Sequence, residues 1–444
     1  GVRIFRGIPY ASAPVGELRW KAPVAPKSWK EPRDATKFAP TAPQPVTPVY
    51  GDLGPQSEDC LYLNVWSAAK KGEKRPVMVW IHGGGFRIGA ASQTAFEGSP
   101  LAKAGVVFVS INYRLGPLGF MAHPGLSAES PNKASGNYGL MDALVALQWV
   151  QQNISEFGGD SDRVTIFGES AGGAAVAALM DSPLSKGLFH RAINLSGSHS
   201  VPLRWRSKSQ PGLTSMEEEG VALVTRMGLK QDGAELLKTL RAAPVEEILK
   251  AHKPFPAMAG EITADHISID GYVLREHIDT VFAEGRQIKV PYIAGTVADE
   301  GTMFAKKLAL NSVEKYRAFL QRFGENAEKM LAIYTPADDA AVHATVVELC
   351  GDVFHYGARS SAAWMAKVQP KSYLYHFTRT TEKMKATGLG CAHGAELNHV
   401  FGNAHDTKDF TDEDRKLASQ IVAYFAHFAE TGDPNGVGPE WPAC

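Results

Sequence analysis

Val164-Thr165-Ile166-Phe167 runs straight into Gly168-Glu169-Ser170-Ala171-Gly172, and small residues follow as far as Met180. A short β-branched apolar run bounded by glycine reads as a buried strand. The alanine-rich stretch reads as a helix packed close to it. Joining the two through G-x-S-x-G demands a sharp, strained turn with glycines on either side of a serine. Such a turn lifts the hydroxyl of Ser170 above the sheet and points the free N–H groups of the helix start at any negative charge that develops there. Glycine is common here, at 43 of 444 residues, so the pattern alone is weak. Its place between strand and helix gives it weight, against the competing reading of a packing turn with an idle serine.

The same alternation extends through the chain. Residues 76–81, 106–113, 192–195, 292–295 and 373–377 are short apolar runs that read as strands. Leu140, Leu144, Leu147, Val150 and Ile154 recur at helical spacing. Strands alternating with helices predict an α/β fold: a mostly parallel central sheet with helices on both faces. Residues 1–60 are rich in Pro and turns and predict an irregular wrapping segment with short strands. Residues 200–285 break the rhythm with three helices expected near 216–228, 233–242 and 244–252, and 308–368 read as a second helical insertion. Both are expected to cap the carboxyl ends of the strands within one domain spanning 1–444, where open α/β sheets bind ligands. Thr411 to Glu430 reads as a late helix, with Thr411 as N-cap and acidic residues in its first turn.

Composition narrows the function classes. Lysine plus arginine number 46 against 47 acidic residues, a net charge of −1, so nothing draws the chain to nucleic acid or a membrane surface. No apolar run is long enough to span a bilayer. The 4 cysteines, Cys60, Cys350, Cys391 and Cys444, form neither a disulfide scaffold nor a CxxC metal site.

His82-Gly83-Gly84-Gly85-Phe86 closes the strand at 76–81. Consecutive glycines let bare backbone approach a ligand and aim N–H groups at one point, which an acyl-transfer site needs for its oxyanion. The expected donors are the N–H groups of Gly84, Gly85 and Ala171. A phosphate loop would need Gly-Lys-Ser/Thr, which is absent, and a dinucleotide fingerprint would need Gly at 88, which is Ile. A plain glycine turn is the bland alternative.

A serine hydroxyl needs a base, and the base an orienting acid. In this kind of fold the chain order is serine, acid, histidine. His393, in a loop after the strand at 373–377, fits the base, with His199, His376 and His399 as competitors among 14 histidines. The acid should follow the strand at 292–295, where Asp299 and Glu300 both qualify.

Taken together, these motifs resemble the type-B carboxylesterase family, which includes p-nitrobenzyl esterases, cholinesterases and fumonisin esterases. Residues 5–11 and 57–66 resemble its N-terminal signatures, and Val164 to Gly173 resembles its active-serine signature. The likeness covers nearly the whole chain and implies an α/β-hydrolase fold with a glutamate as triad acid. The Asp-Glu-Gly pattern then lands on Glu300, and His-Gly-x-Glu lands on His393. The resemblance also implies that Glu169 and Ser196 support the histidine, and that Arg19 pairs with Glu58 and Arg114 with Asp142. Relatives pair the cysteine equivalent to Cys60 with one about 20 residues earlier; here that stretch has none, so Cys60 is expected to be a buried free thiol, with Cys350 and Cys391 as the remaining candidate pair. A secreted or periplasmic setting is what the resemblance favours.

The implied activity is that of a serine carboxylesterase working through an acyl-enzyme on a small-molecule ester, with no cofactor and no metal. His393-x-x-Glu396-x-x-His399 is not HExxH, and His399 is expected to be a surface or pocket residue. Arg204, Arg206 and Lys208 flank Trp205, and Arg forks recognise carboxylates, which suggests esters bearing carboxylates, such as fumonisin-type tricarballylates; a solvated loop is the alternative. An acyltransferase or amidase would use the same triad. A non-catalytic, neuroligin-like adhesion protein would have lost it.

Overall fold

A computed structural model describes residues 1–47, 50–197, 203–210, 214–252, 266–405 and 409–444. Eight strands form one sheet: β1 Arg3–Pro9, β2 Tyr62–Ser67, β3 Arg75–Ile81, β4 Val107–Ile111, β5 Gly159–Glu169, β6 Arg191–Leu195, β7 Tyr292–Val297 and β8 Ser372–Phe377. Their order is β1-β2-β4-β3-β5-β6-β7-β8. The pairs β1/β2 and β2/β4 are antiparallel, and every pair from β4/β3 to β7/β8 is parallel. This is the mostly parallel sheet expected from the alternation, and it agrees with the α/β-hydrolase fold that the resemblance implies. The antiparallel edge consists of β1, a short strand of the kind expected within the N-terminal wrapping segment, and β2, which directly follows that segment.

The central strands are buried on both faces, so their residues divide by parity. Val77, Val79 and Ile81 enter one cluster with Val107, Val109, Val164 and Ile166, while Met78 and Trp80 enter the opposite one with Phe108 and Phe167. On the first face lie helices α1 Tyr138–Asn153 and α2 Ala171–Asp181. Between β6 and β7 come α3 Met216–Arg226, α4 Gly233–Ala242 and α5 Val245–Ala251, each within two residues of its expected span. Between β7 and β8 come α6 Thr302–Leu308 and the 25-residue α7 Val342–Ala366, which with their neighbours form a separate apolar cluster around Phe304, Phe319 and Phe354. Helix α8 Asp412–Thr431 closes the second face. Thr411 caps it through Asp414 N–H, and the Asp414 carboxylate reaches back to Thr411 N–H, a reciprocal capping box.

Two ion pairs tie loops to this frame. Arg19 Nη2 lies 2.6 Å from Glu58 Oε2, and Arg114 Nη2 lies 2.7 Å from Asp142 Oδ1. All four cysteines are free thiols, Cys60, Cys350 and Cys391 buried and Cys444 exposed. Cys391 Sγ instead approaches Phe377 O at 3.3 Å, so the candidate Cys350–Cys391 bridge is not formed. Among the described residues no helix is long and apolar enough to cross a membrane.

Candidate active site

β5 ends at Glu169 and α2 begins at Ala171, so Ser170 alone makes the turn. It pays in backbone strain: φ is 57° and ψ −122°, a region that L-residues rarely occupy. The turn is held by Ser170 N–H donating to Leu195 O at 2.9 Å, and it is tight because a Cβ on Gly172 would lie 2.0 Å from Ile81 O. No side chain fits there, which is the physical reason for the second glycine of the motif. Ser170 is partly exposed, whereas Glu169 before it and Ala171 after it are buried.

The glycine loop leaves β3 and lies against the serine. A Cβ on Gly83 would meet Ser170 Cβ at 3.1 Å. Gly84 and Gly85 follow at φ 105° and 64°. Ala171 opens α2, so its N–H has no acceptor within the helix. The three residues expected to supply oxyanion donors thus lie in a positive-φ loop that reaches Ser170 through Gly83 and at the helix start that follows Ser170.

His393 and Glu300 are brought together. Glu300 Oε2 lies 2.5 Å from His393 Nδ1, while Glu300 Oε1 accepts the N–H of Val297 at 3.0 Å. Asp299 turns away: its Oδ2 accepts the N–H of Cys391 at 2.7 Å. Between the two acids left open by the residues alone, geometry selects Glu300. Glu169 Oε1 stands 3.2 Å from the other ring nitrogen, Nε2, which is buried and makes no hydrogen bond. Burial alone would lower the pKa of His393; Glu169 and then Glu300 outweigh it and hold the imidazole well above its ordinary value. Burial, with help from Glu300, in turn raises Glu169. Ser196 is buried at φ 48°, with its hydroxyl unpartnered and its N–H donated to Gly295 O at 2.8 Å.

The other histidines divide. His376 is exposed on β8, with Nδ1 3.4 Å from Thr296 Oγ1. His399 is fully buried, 3.7 Å from Asp414 and packed on Phe377 and Phe410, in place of the surface or pocket residue expected. Its apolar neighbours remove it from solvent, and a helix pattern of four residues is too short to reveal which face is buried. His199 lies outside the described residues, as do residues 200–202 of the basic segment.

Arg204 and Arg206 do not stand open for a carboxylate. Arg206 Nη1 lies 2.5 Å from Glu217 Oε1, and Arg204, buried, has Nη1 3.6 Å from Glu219 Oε1. Both glutamates ride on the first turn of α3, so the acidic turn beside the basic loop, 11 residues on for Arg206, was the signal to read.

Three further residues line the site, two of them outside any motif. Phe354 of α7 and Phe304 of α6 flank the imidazole, with centroids 4.5 and 5.2 Å from that of His393. Glu396, one turn beyond His393, is buried with Oε1 3.3 Å from Tyr375 Oη; burial, then Glu169 and Glu300, push it up to about 8. Its place in His-Gly-x-Glu was legible. The aromatics, supplied by helices inserted between β7 and β8, were not.

Comparison with known proteins supplies the context for this geometry. The carboxylesterase family model matches residues 1–444. The fumonisin B1 esterase of Sphingopyxis macrogoltabida is 40% identical, the match covering 99% of this chain and 81% of that protein. The para-nitrobenzyl esterase of Bacillus subtilis is 36% identical over 100% and 89%, and the human cocaine esterase 35% over 100% and 82%. With its whole length matched by the family model and relatives at 35–40% identity, the chain belongs to the carboxylesterase family and is a carboxylic ester hydrolase.

Proposed function

We propose that the protein is a serine esterase that cleaves its substrates through an acyl-enzyme, with Ser170 as nucleophile, His393 as base and Glu300 as the acid that orients it. The observation that carries this reading is the 2.5 Å contact between Glu300 and His393 Nδ1, which leaves Nε2 as the nitrogen to serve the serine. Ser170 Oγ attacks the ester carbonyl carbon as its proton passes to His393 Nε2. The carbonyl electron pair moves to oxygen and is met by the N–H groups of Gly84, Gly85 and Ala171. The intermediate collapses, the C–O bond to the alcohol breaks, and His393 returns the proton to the leaving oxygen. Water, deprotonated by His393, then repeats the sequence on the acyl-enzyme and frees the acid and Ser170. Glu169, 3.2 Å from Nε2, supports the histidine, whereas the hydroxyl of Ser196 makes no hydrogen bond to it. The helices between β6 and β7 and between β7 and β8 form the cap of a single catalytic domain.

The test is Ser170→Ala with fluorophosphonate labelling. The wild type should be labelled at Ser170, and the variant should fold, escape labelling and lose essentially all esterase activity. A folded variant with activity near wild type would end the reading. Adding an alcohol and analysing products separates water from another acyl acceptor.

A second reading, hydrolysis of esters bearing carboxylates, is favoured by the 40% identity to a protein named for fumonisin B1. The pairing of Arg204 and Arg206 with α3 glutamates argues that those arginines are not its basis. Comparing kcat/KM on neutral and tricarballylate esters decides: a preference for the charged ester that survives Arg206→Ala keeps the reading and moves recognition elsewhere, and no preference rejects it.

A further inference from the structure

The donors of the glycine loop are useful only if the loop is held still; Phe86, buried against Phe120 and His266, anchors its middle, but its glycines cannot hold its exit. Glycines carry no side chains to pack, and they have the most backbone freedom to lose. The question is what fixes residues 83–91 from outside.

Three consecutive N–H groups at the exit of the loop are each taken by a side-chain amide oxygen. Gly89 N–H donates to Gln44 Oε1 at 2.7 Å, Ala90 N–H to Gln93 Oε1 at 3.1 Å, and Ala91 N–H to Asn112 Oδ1 at 2.8 Å. Gln44 differs from the other two. Its Nε2 also donates to Gly89 O at 2.9 Å, so the amide grips both backbone groups of one residue, as a neighbouring strand would. The second hydrogen of Nε2 goes to Ala42 O at 3.0 Å, and the backbone N–H of Gln44 is fixed by Gln56 Oε1 at 2.8 Å. Gln44 is 4% exposed and uses its oxygen and both amide hydrogens. The two-sided grip also sets the orientation of the amide, because only one of its two flips matches an N–H and a C=O.

Gly89 transmits this grip to the donors. At φ 115° its backbone lies so close to the start of the loop that a Cβ would meet His82 Nδ1 at 2.6 Å and Gly83 O at 2.8 Å. Gly84 in turn sits against Ile88, where a Cβ would lie 1.9 Å from Ile88 O, and the N–H groups of Arg87 and Ile88 both donate to Gly84 O at 3.1 Å. Moving Gly89 therefore moves Ile88, and with it Gly84.

We infer that Gln44, in the N-terminal wrapping segment 45 residues before Gly89, is a positioning residue for the oxyanion loop: its side-chain amide, bonded to both backbone groups of Gly89, sets where the N–H groups of Gly84 and Gly85 point. The inference rests on the proposed serine mechanism and adds to it a residue outside every motif that carries that mechanism. Transition-state stabilisation depends on donors held at the position the oxyanion will occupy, not that of the ground-state carbonyl. Loosening the loop should accordingly reach kcat far more than KM.

The test uses Gln44→Ala and Gln44→Glu with a neutral p-nitrophenyl ester and a trifluoromethyl ketone as oxyanion mimic. For folded Gln44→Ala, the inference expects kcat to fall about tenfold or more, with KM within about threefold and ketone affinity lowered in proportion to kcat/KM. A folded Gln44→Ala with kcat within twofold of wild type, or with its whole loss in KM, overturns it. Gln44→Glu decides independently should Gln44→Ala fail to fold. A protonated carboxyl keeps an acceptor for Gly89 N–H and one donor for Gly89 O, losing only the amide's second donor to Ala42 O, whereas a carboxylate offers no donor to Gly89 O. Desolvation pushes a buried glutamate up toward neutral pH. His82, beside Gly89, is held down at about 4 by burial and stays neutral. The ratio of Gln44→Glu to wild-type kcat should therefore rise severalfold from alkaline to mildly acidic pH. A ratio independent of pH overturns the inference. Failure of the serine mechanism would show separately, as retained activity in Ser170→Ala.

Discussion

Glu300 Oε2 sits 2.5 Å from His393 Nδ1, and the glutamate side chain has no exposed surface. In the proposed mechanism the contact fixes the ring tautomer and faces the imidazolium that forms when the serine is deprotonated. Glu300→Gln keeps the shape and removes the charge. We expect kcat to fall by about 10³- to 10⁴-fold with KM little changed, as for other triads whose acid is neutralised. Steady-state kinetics on a p-nitrophenyl ester, with thermal melts to confirm folding, reads this out. A loss below tenfold would deny Glu300 the role.

Glu169 acts on the opposite nitrogen, 3.2 Å from Nε2, and its charge favours protonated His393. The base works only when deprotonated, so kcat/KM should rise with pH along an acid limb that reports His393 in the free enzyme. Glu169→Gln removes one of the two carboxylates that hold the histidine up. The acid limb should then move to lower pH, by about one unit or more. A pH profile that stays in place, or moves to higher pH, contradicts the assignment.

Gly84 and Gly85 are adjacent, yet their surroundings differ. A Cβ on Gly84 meets Ile88 O at 1.9 Å, while one on Gly85 meets nothing within 4 Å. Gly84→Ala must displace the loop and should lower kcat by about 10²-fold, near the cost of one lost oxyanion donor. Gly85→Ala keeps the space and adds only backbone strain of about 1–2 kcal/mol, so its kcat should fall less. Kinetics of the two variants side by side, with equal losses as the adverse outcome, test this.

Arg114 and Asp142 are both buried, joined by Nε to Oδ2 at 2.8 Å and Nη2 to Oδ1 at 2.7 Å, with Arg114 N–H adding a third bond at 3.0 Å. Arg114→Met strands a buried carboxylate and should cost about 3–5 kcal/mol, seen as a lowered urea midpoint. Adding Asp142→Leu should recover much of that loss, because the uncompensated charge is gone. A double variant no more stable than the single one would show that the pair's geometry, not its charge, matters.

Much of this molecule is written locally. The parity of Val77 to Ile81 gives a strand buried on both faces, the glycines around Ser170 give the only turn that can join β5 to α2, and Thr411 with Asp414 gives the start of α8. Backbone sterics, capping and two- or four-residue periods act between near neighbours in the chain, so they can be read there. The candidate site was legible to the same extent. Chain order and motif singled out Ser170, His393 and the glycine loop, but left the residues alone unable to choose between Asp299 and Glu300.

What folding decided are the meetings of distant residues. Asp299 is spent on Cys391 N–H, so Glu300 is the carboxylate that faces His393. Glu217 and Glu219 of α3 occupy Arg206 and Arg204, Cys391 turns to Phe377 O rather than to Cys350, and Phe354, from a helix inserted between β7 and β8, covers the imidazole. Each outcome depends on which groups lose water together, a comparison of desolvation against a partner's charge or hydrogen bond. That balance exists only once the sheet and its helices have brought both partners to one place.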